Sequence, residues 1–345
     1  MSNTLLIRAD SSAKMGTGHI MRCFALAQGW QAKGGKAIFA TTCKNEALLA
    51  RIQNEGFQIA QLKKSYPSLD DWKIMLQILR GGSCIWVVVD GYHFDSAYQL
   101  RIKEEGHPLM VIDDTNDLRH YYADILLNQN IYAQDLTYSC EPYSRLLLGT
   151  RYVLLRHEFL KSKERNTGVS QVARKIIVTL GGSDPHNVTL EIIRALCKLK
   201  ISGLHVKVIA GPSHLQTLSL HKAADLAAFP VEIFHNVRKM THFMVWADLA
   251  ISAAGSTCWE LAYMGVPFAM IVQAKNQKKI AEGLNSVNAA INLGWCCSLT
   301  ADALTDCLTN LIENREKRME LSLNAKNLVD GLGVERVQKQ MVINA

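Results

Sequence analysis

Two short segments of this 345-residue chain carry residue types at spacings suited to chemistry. The first is residues 7–22, IRADSSAKMGTGHIMR. A buried strand is expected to end near Asp10, and Gly16-Thr17-Gly18-His19 then opens a helix. Small residues let backbone approach a ligand closely. A helix N-terminus favours anions and a neutral imidazole, and a neutral imidazole facing a cleft is what a general base needs. The plainer possibility is that His19 only begins and caps a helix, and spacing leaves the two evenly matched. Dinucleotide binding fails here, because the third glycine of G-x-G-x-x-G falls at Met21 and the second strand brings no acid for a ribose. A P-loop fails because no Gly-Lys-Ser/Thr follows.

The second segment is residues 247–267, ADLAISAAGSTCWELAYMGVP. A strand runs into Gly255-Ser256-Thr257 and then into a helix ending at Gly265. Ser256 or Thr257 sits where an N-cap belongs, leaving N–H groups to face a diphosphate. Glu260, one turn in, is placed to accept from a ribose diol. The same Thr257-x-x-Glu260 spacing is also a capping box, and spacing alone favours neither role. A similar turn, LGGSDP, brings Gly181, Gly182 and Ser183 to a helix start. There Asp184 reads as an N-cap, with Pro185 in the first helical position. Two such turns in one half strengthen the nucleotide-diphosphate reading. The chain has no Asp-x-Asp and no His-Glu-x-x-His. Asp113 and Asp114 are adjacent on a strand end, so their carboxylates should point apart. A diphosphate held by backbone N–H groups, with no metal and no cofactor, is the expectation.

The elements that must position these residues alternate regularly. Strands are expected at 4–8, 37–42, 57–62, 84–90, 108–113 and 123–128, with helices at 20–33, 45–55, 69–79 and 96–105 between them. Ile20, Cys23, Phe24, Ala27 and Trp30 form the helical stripe of the first helix. Residues 161–174, KSKERNTGVSQVAR, lack core periodicity and read as a linker. Alternation restarts with strands at 175–180, 205–210, 231–235, 249–253 and 268–273. The reading is an α/β chain of two doubly wound, Rossmann-like domains. Residues 1–160 form a domain that carries the candidate base and 175–325 a nucleotide-diphosphate-binding domain, with a C-terminal helix, 326–345, packing back on the first. Any ligand belongs in an interdomain cleft at the carboxyl ends of the strands.

Composition excludes several other classes. Hydrophobic residues make up 48% and charged residues 20%, ordinary for a globular chain. The net charge of +7 is spread over both halves, with 20 Lys/Arg against 17 Asp/Glu in residues 1–165 and 18 against 14 beyond. That diffuse surplus argues against nucleic acid as partner. MSNTLLIRAD is too polar for a secretory signal, and no run of 18 apolar residues suggests membrane insertion. Nine cysteines without C-x-x-C suggest free thiols in a reducing compartment. A cytoplasmic monomer acting on a small molecule is expected.

Taken together, the motifs resemble a known family, the UDP-sugar hydrolases of pseudaminic acid biosynthesis, which are similar in fold to the GT-B glycosyltransferases of the MurG type. The resemblance runs through Arg8-Ala9-Asp10, Gly16-Thr17-Gly18-His19 with Met21-Arg22, Asp90-Gly91-Tyr92, Ile112-Asp113-Asp114 and Asn128-Gln129-Asn130. It continues through Tyr152, Leu155-Arg156, Glu158-Phe159, Gly181-Gly182-Ser183-Asp184, Ala254-Gly255-Ser256-Thr257 with Glu260, and Asn276-Gln277. The Gly-x-Gly-His-x-Met-Arg and Leu-Gly-Gly-x-Asp segments are the more specific, whereas Gly-Ser-Thr-x-x-Glu says only UDP-sugar. The resemblance implies hydrolysis of UDP-2,4-diacetamido-2,4,6-trideoxy-β-L-altropyranose with inversion, His19 activating water against the anomeric carbon. It implies Asp10, Gly18, Tyr92 and Asn276 on the sugar side. Gly181, Gly182, Gly255, Ser256 and Thr257 would hold the diphosphate, Glu260 the ribose, and backbone near Val237 the uracil. Asp10 would orient His19 or simply cap its loop, with the structural role favoured.

The chemistry is consistent with one base. Ordinary glycosidases use two carboxylates, one of them to protonate a poor leaving group. UDP leaves readily, so a base and electrostatic stabilisation of the departing diphosphate suffice. A transferase moving the sugar to an acceptor shares the same donor site and differs in requiring that acceptor. A non-catalytic nucleotide-sugar binder would bind UDP and turn over nothing. Arg8, Arg22 and Arg156 read as structural ion-pair partners, Asn128 and Asn130 as groups satisfying backbone at a strand end, and Trp30, Trp72 and Trp246 as core.

Overall fold

The computed structural model describes residues 3–12, 15–82, 84–162, 168–182, 184, 186–211 and 217–342. The chain divides into two compact units, Met1–His157 with Gly331–Ala345, and Glu158–Asp330.

The first unit runs β1 (Thr4–Ala9), α1 (Gly18–Ala32), β2 (Lys36–Thr41), α2 (Glu46–Asn54), β3 (Gln58–Gln61), α3 (Leu69–Arg80), β4 (Cys84–Asp90), α4 (Ser96–Glu104), β5 (Leu109–Ile112), β6 (Ile125–Asn128) and β7 (Arg145–Leu148). Its strands form a parallel sheet in the order β3-β2-β1-β4-β5-β6-β7. The order reverses between β1 and β4, and ligands of doubly wound sheets bind outside the carboxyl ends of the strands at such a point.

Successive residues of a strand face opposite sides, and this alternation decides where the polar residues at the strand ends point. Leu5, Ile7 and Ala9 of β1, with Trp86 and Val88 of β4, pack with Ile20, Cys23, Phe24 and Ala27 of α1. Leu6, Val87 and Val89 face the opposite core, with Phe94, Tyr98 and Tyr121. By this count Asp90 belongs to the α1 face and Asp10 to the other. Asp114 follows Met110 and Ile112 toward α1, and Asp113 follows Leu109 and Val111 away from it.

The second unit contains α5 (His157–Leu160), which begins at the unit boundary, then β8 (Lys175–Thr179), α6 (Val188–Lys198), β9 (His205–Ala210), α7 (Thr217–Asp225), β10 (Val231–His235), α8 (Met240–Trp246), β11 (Leu249–Ala253), α9 (Thr257–Met264), β12 (Phe268–Val272), α10 (Lys278–Ser286), β13 (Ile291–Trp295), α11 (Ala301–Glu313) and α12 (Arg315–Leu328). Its sheet is again parallel, in the order β10-β9-β8-β11-β12-β13, with the reversal between β8 and β11. The Gly181-Gly182 and Gly255-Ser256-Thr257 turns follow those two strands. Residues 163–167 of the expected linker lie outside the described residues. Of the remainder, Ala173 is buried, and the Ser170 and Gln171 carbonyls accept from Arg318 on α12.

α13 (Gly333–Val342) belongs to the first unit. Val334, Val337 and Met341 join the α1-side core, and the Trp86 indole N–H donates to the Met341 carbonyl at 3.0 Å. Gly333 lies so close to the backbone of residues 152–153 that a Cβ there would stand 2.1 Å from the Val153 carbonyl oxygen. Two edge strands, β7 and β13, were not among the expected ones. No described helix is long and apolar enough to cross a membrane.

Candidate active site

His19 is the second residue of α1, after Thr17, which makes no side-chain cap. Its imidazole does not cap the helix either. Nδ1 stands 2.6 Å from Asp90 Oδ1, and both side chains are buried. A carboxylate only accepts, so Nδ1 carries the proton and Nε2 is left as the basic nitrogen. The Arg22 Nη2 atom lies 3.2 Å from the same Nδ1. Two donors cannot share one hydrogen bond, so the shorter carboxylate contact sets the tautomer. A basic nitrogen held this way matches the base-and-orienting-carboxylate arrangement of known general bases.

Arg22 lies one helical turn beyond His19 and fixes the carboxylate. Its Nε and Nη2 donate to the two Asp90 oxygens at 2.6 Å each, and Nη1 and Nη2 donate to Asp114 at 2.8 and 3.0 Å. Asp114 also accepts from Asn130 at 2.7 Å and from the Tyr92 hydroxyl at 3.0 Å. The Tyr92 ring meets His19 edge-on, with centroids 4.8 Å apart. Tyr92 thus braces the imidazole while anchored to the same network.

Charge explains why this cluster holds. Burial alone would lift the Asp90 carboxyl, but the Arg22 charge and the His19 contact hold it well below the usual carboxylate range. Burial acts likewise on Asp114, and Arg22 again holds it down. Burial also opposes the Arg22 charge, and Asp114 and Asp90 keep that group ionised. Asp113, facing the other way, accepts from Tyr121 and Tyr138 and from the Asn116 N–H, and its burial pushes the carboxyl up. The adjacent carboxylates therefore point apart, as expected.

Folded-state values below the ordinary ones mean that the stability from Asp90 and Asp114 is complete above the usual carboxylate range and is lost as pH falls below it. Asp113 acts with the opposite sign, losing stability as pH rises through its raised value. Urea unfolding should show stability falling by on the order of 2 kcal/mol between about pH 5 and pH 3. The fall should be shallower in Asp114→Asn; an equal slope in that variant would contradict the assignment.

Asp10 requires a correction. It contacts neither His19 nor an open surface, because alternation turns it to the opposite face. Its oxygens accept from Arg8 Nη1 and Nη2 at 2.8 Å each, from the Thr42 N–H at 2.7 Å and from the Ser65 hydroxyl at 2.7 Å, and His93 lies 3.2 Å away. Arg8, fully buried, reaches on to Asp71. Burial works against the Asp10 charge, yet His93 and Arg8 hold the carboxyl well below its ordinary range. Both its oxygens accept from donors of the protein itself, so Asp10 is removed from the sugar-binding set. The carboxylate that orients His19 is Asp90, which the motif Asp90-Gly91-Tyr92 contained without its role being read. Its signal was an acid ending a buried strand, in register with Ala9 of the neighbouring strand. Gly18 opens α1 and is half-buried.

In the second unit, Gly181 takes a φ of +84°, which a side chain would strain. Gly211 packs against this turn: a Cβ there would meet the Gly181 oxygen at 2.2 Å and the Gly182 carbonyl carbon at 2.5 Å. Ser183 and Pro185 lie outside the described residues. Asp184 does cap, accepting from the Val188 and Thr189 N–H groups at 2.9 and 2.8 Å. The described helix α6 begins at Val188, after Asn187 in the left-handed region. α9 begins at Thr257, and Ser256 before it makes no side-chain cap. Gly255 lies beside Gln277, whose amide nitrogen would be 3.9 Å from an added Cβ. Asn276 is in the short turn Lys275–Gln277 that follows β12, and Val237 is half-buried in the loop after β10. The Gly181-Gly182 turn, the Gly255–Thr257 turn and Asn276 thus lie at carboxyl ends of neighbouring strands of one sheet.

Two parallel doubly wound units of this kind define the GT-B, MurG-like class, and the solved structure of Acinetobacter baumannii MurG superposes with a TM-score of 0.68, covering 99% of this chain and 100% of its own at 16% identity. Residues 176–337 match the model of the Glycosyltransferase family 28 C-terminal domain. In sequence the chain is similar to the UDP-2,4-diacetamido-2,4,6-trideoxy-β-L-altropyranose hydrolase of Campylobacter jejuni, at 25% identity over 81% of this chain and 95% of that protein. It is also similar to the spore coat polysaccharide biosynthesis protein SpsG of Bacillus subtilis, at 23% identity over 96% and 95% of the two chains. An uncharacterised protein of Methanocaldococcus jannaschii is 24% identical over 80% of this chain, which spans 57% of that relative's length.

Proposed function

We propose that this protein hydrolyses a UDP-sugar, releasing UDP and the free sugar by inverting attack of water at the anomeric carbon, with His19 as general base. The observation that carries the reading is the 2.6 Å contact between His19 Nδ1 and a fully buried Asp90 that Arg22 keeps ionised. In the step, the water O–H bond breaks toward His19 Nε2 and the water oxygen bonds to C1. The C1–O bond breaks with its electron pair leaving on UDP. A diphosphate is a stable leaving group, so no acid need protonate it and no metal is required by the scheme. The first unit supplies the base, with Tyr92 beside the sugar. The second unit supplies the nucleotide site: the Gly181-Gly182 turn and Gly255, Ser256 and Thr257 for the diphosphate, Glu260 for the ribose, backbone near Val237 for the base, and Asn276 toward the sugar.

The named activity of the Campylobacter jejuni relative supports UDP-2,4-diacetamido-2,4,6-trideoxy-β-L-altropyranose as substrate, and with it a step of pseudaminic acid biosynthesis; that the enzyme acts as a cytoplasmic monomer is part of the same proposal. The family 28 match favours one competing reading, transfer of the sugar to an acceptor. Incubation with that substrate, without acceptor, separates the two. UDP release at a steady rate supports hydrolysis, and release only on adding an acceptor contradicts it.

The nucleotide half of the reading has its own check. Gly211→Ala pushes a methyl into the Gly181-Gly182 backbone and displaces N–H groups that the diphosphate would use. A lost hydrogen bond to a charged group is worth about 1.5–3 kcal/mol. UDP affinity should therefore fall at least tenfold by calorimetry. Unchanged affinity would remove that turn from the nucleotide site.

A further inference from the structure

We propose that a small cavity beside His19 takes the acyl group of an N-acylated amino function at C2 of the sugar, and that Gln99 determines this specificity. The proposal rests on the hydrolase reading, which places His19 at the anomeric carbon. The cavity measures about 30 Å³ and is lined by His19, Tyr92, Phe94, Gln99 and Leu118, among others. A water molecule needs about 10–15 Å³ of such space, so there is room for two or so heavy atoms, as in the oxygen and methyl of an acetyl group. C2 is bonded directly to the anomeric carbon, so a cavity sharing its wall with the base lies within reach of the C2 substituent.

The lining chemistry selects an acyl group over a hydroxyl or an ammonium. Phe94, Val89 and Val111 give an apolar wall, suited to a methyl. Gln99 is fully buried, and its Oε1 accepts from the Tyr122 N–H at 2.9 Å. Its Nε2 donor has no acceptor among the described residues. A buried donor left unmatched is costly, and an acyl oxygen is the acceptor it lacks. Asp113 also borders the cavity, but both its oxygens are engaged by Tyr121, Tyr138 and the Asn116 N–H. Asp113 is thus spent on structure, and Asp117, the other carboxylate of the lining, is exposed to solvent, where its charge is screened.

The test uses the whole chain and two C2 series bearing amine, acetyl or propionyl: UDP-sugars for turnover, and non-hydrolysable UDP C-glycosides for binding by calorimetry. The expected result is wild-type affinity for acetyl at least tenfold above both amine and propionyl, since one methylene in a closed pocket commonly discriminates about 10–200-fold. Gln99→Glu keeps an oxygen for the Tyr122 N–H and removes the donor, and should abolish the preference for acetyl over amine. If that variant does not fold, Leu118→Trp fills the cavity from the loop side and should lower acetyl affinity while sparing the amine. Equal affinities across the series in the wild type, or an acetyl preference untouched by either variant, overturn the cavity assignment. Turnover with flat affinities would overturn it alone. Acyl discrimination without turnover would overturn the hydrolase reading and leave the cavity standing.

Discussion

Replacing Asp90 by asparagine should lower kcat by about 10²–10⁴-fold, the range of a lost general base, while leaving UDP affinity unchanged. The amide can turn its N–H toward His19 Nδ1, which favours the tautomer with the proton on Nε2. The nitrogen that must accept a proton from water is then already protonated. The same substitution removes one of two carboxylates from Arg22, which donates to Asp90 at 2.6 Å and to Asp114 at 2.8 Å. Breaking a buried pair from one side costs about 3–5 kcal/mol, so the thermal midpoint should fall as well. A purely structural Asp90 would give the second effect without the first. Steady-state kinetics at a temperature where the variant is fully folded separates them. Near wild-type kcat there would contradict the orienting role.

His19→Asn should cost a similar 10²–10⁴-fold in kcat with little loss of stability, since the introduced amide can still donate to Asp90. KM for the UDP-sugar should change far less than kcat, because the interaction lost is made with water and not with the ground-state sugar. Groups that act as one unit are not additive, so Asp90→Asn combined with His19→Asn should be no slower than His19→Asn alone. Multiplicative losses in the double variant would mean that the two residues act independently.

Much of the fold was legible because buried parallel strands are short, apolar and β-branched, as at Cys84–Asp90 and Lys175–Thr179. Two of the four edge strands, β7 and β13, were not. Ile291–Trp295 contains Asn292 and Gly294, and Arg145–Leu148 starts on a charged residue and leaves Leu146 exposed, so neither is buried as the central strands are. His19 could be singled out from its neighbours in sequence, but its partner could not. Asp10 is nearer in the chain, while Asp90 is 71 residues away and on the correct face. The information needed was the parity of two strands relative to α1: Ile7 and Ala9 face that helix, which sends Arg8 and Asp10 to the opposite side. Counting alternation from the core residues would have excluded Asp10. That Asp90 lies beside it required the pairing of β1 with β4. The Gly211 contact was equally hidden, since nothing in sequence brings it against Gly181.

The account stands most directly on turnover of UDP-2,4-diacetamido-2,4,6-trideoxy-β-L-altropyranose in ¹⁸O-labelled water with no acceptor present. Water activated by His19 at the anomeric carbon predicts label in the anomeric oxygen of the free sugar and none in UDP. Label in the diphosphate would mean attack at phosphorus, and no release of UDP at all would mean that this chain does not use water as its acceptor.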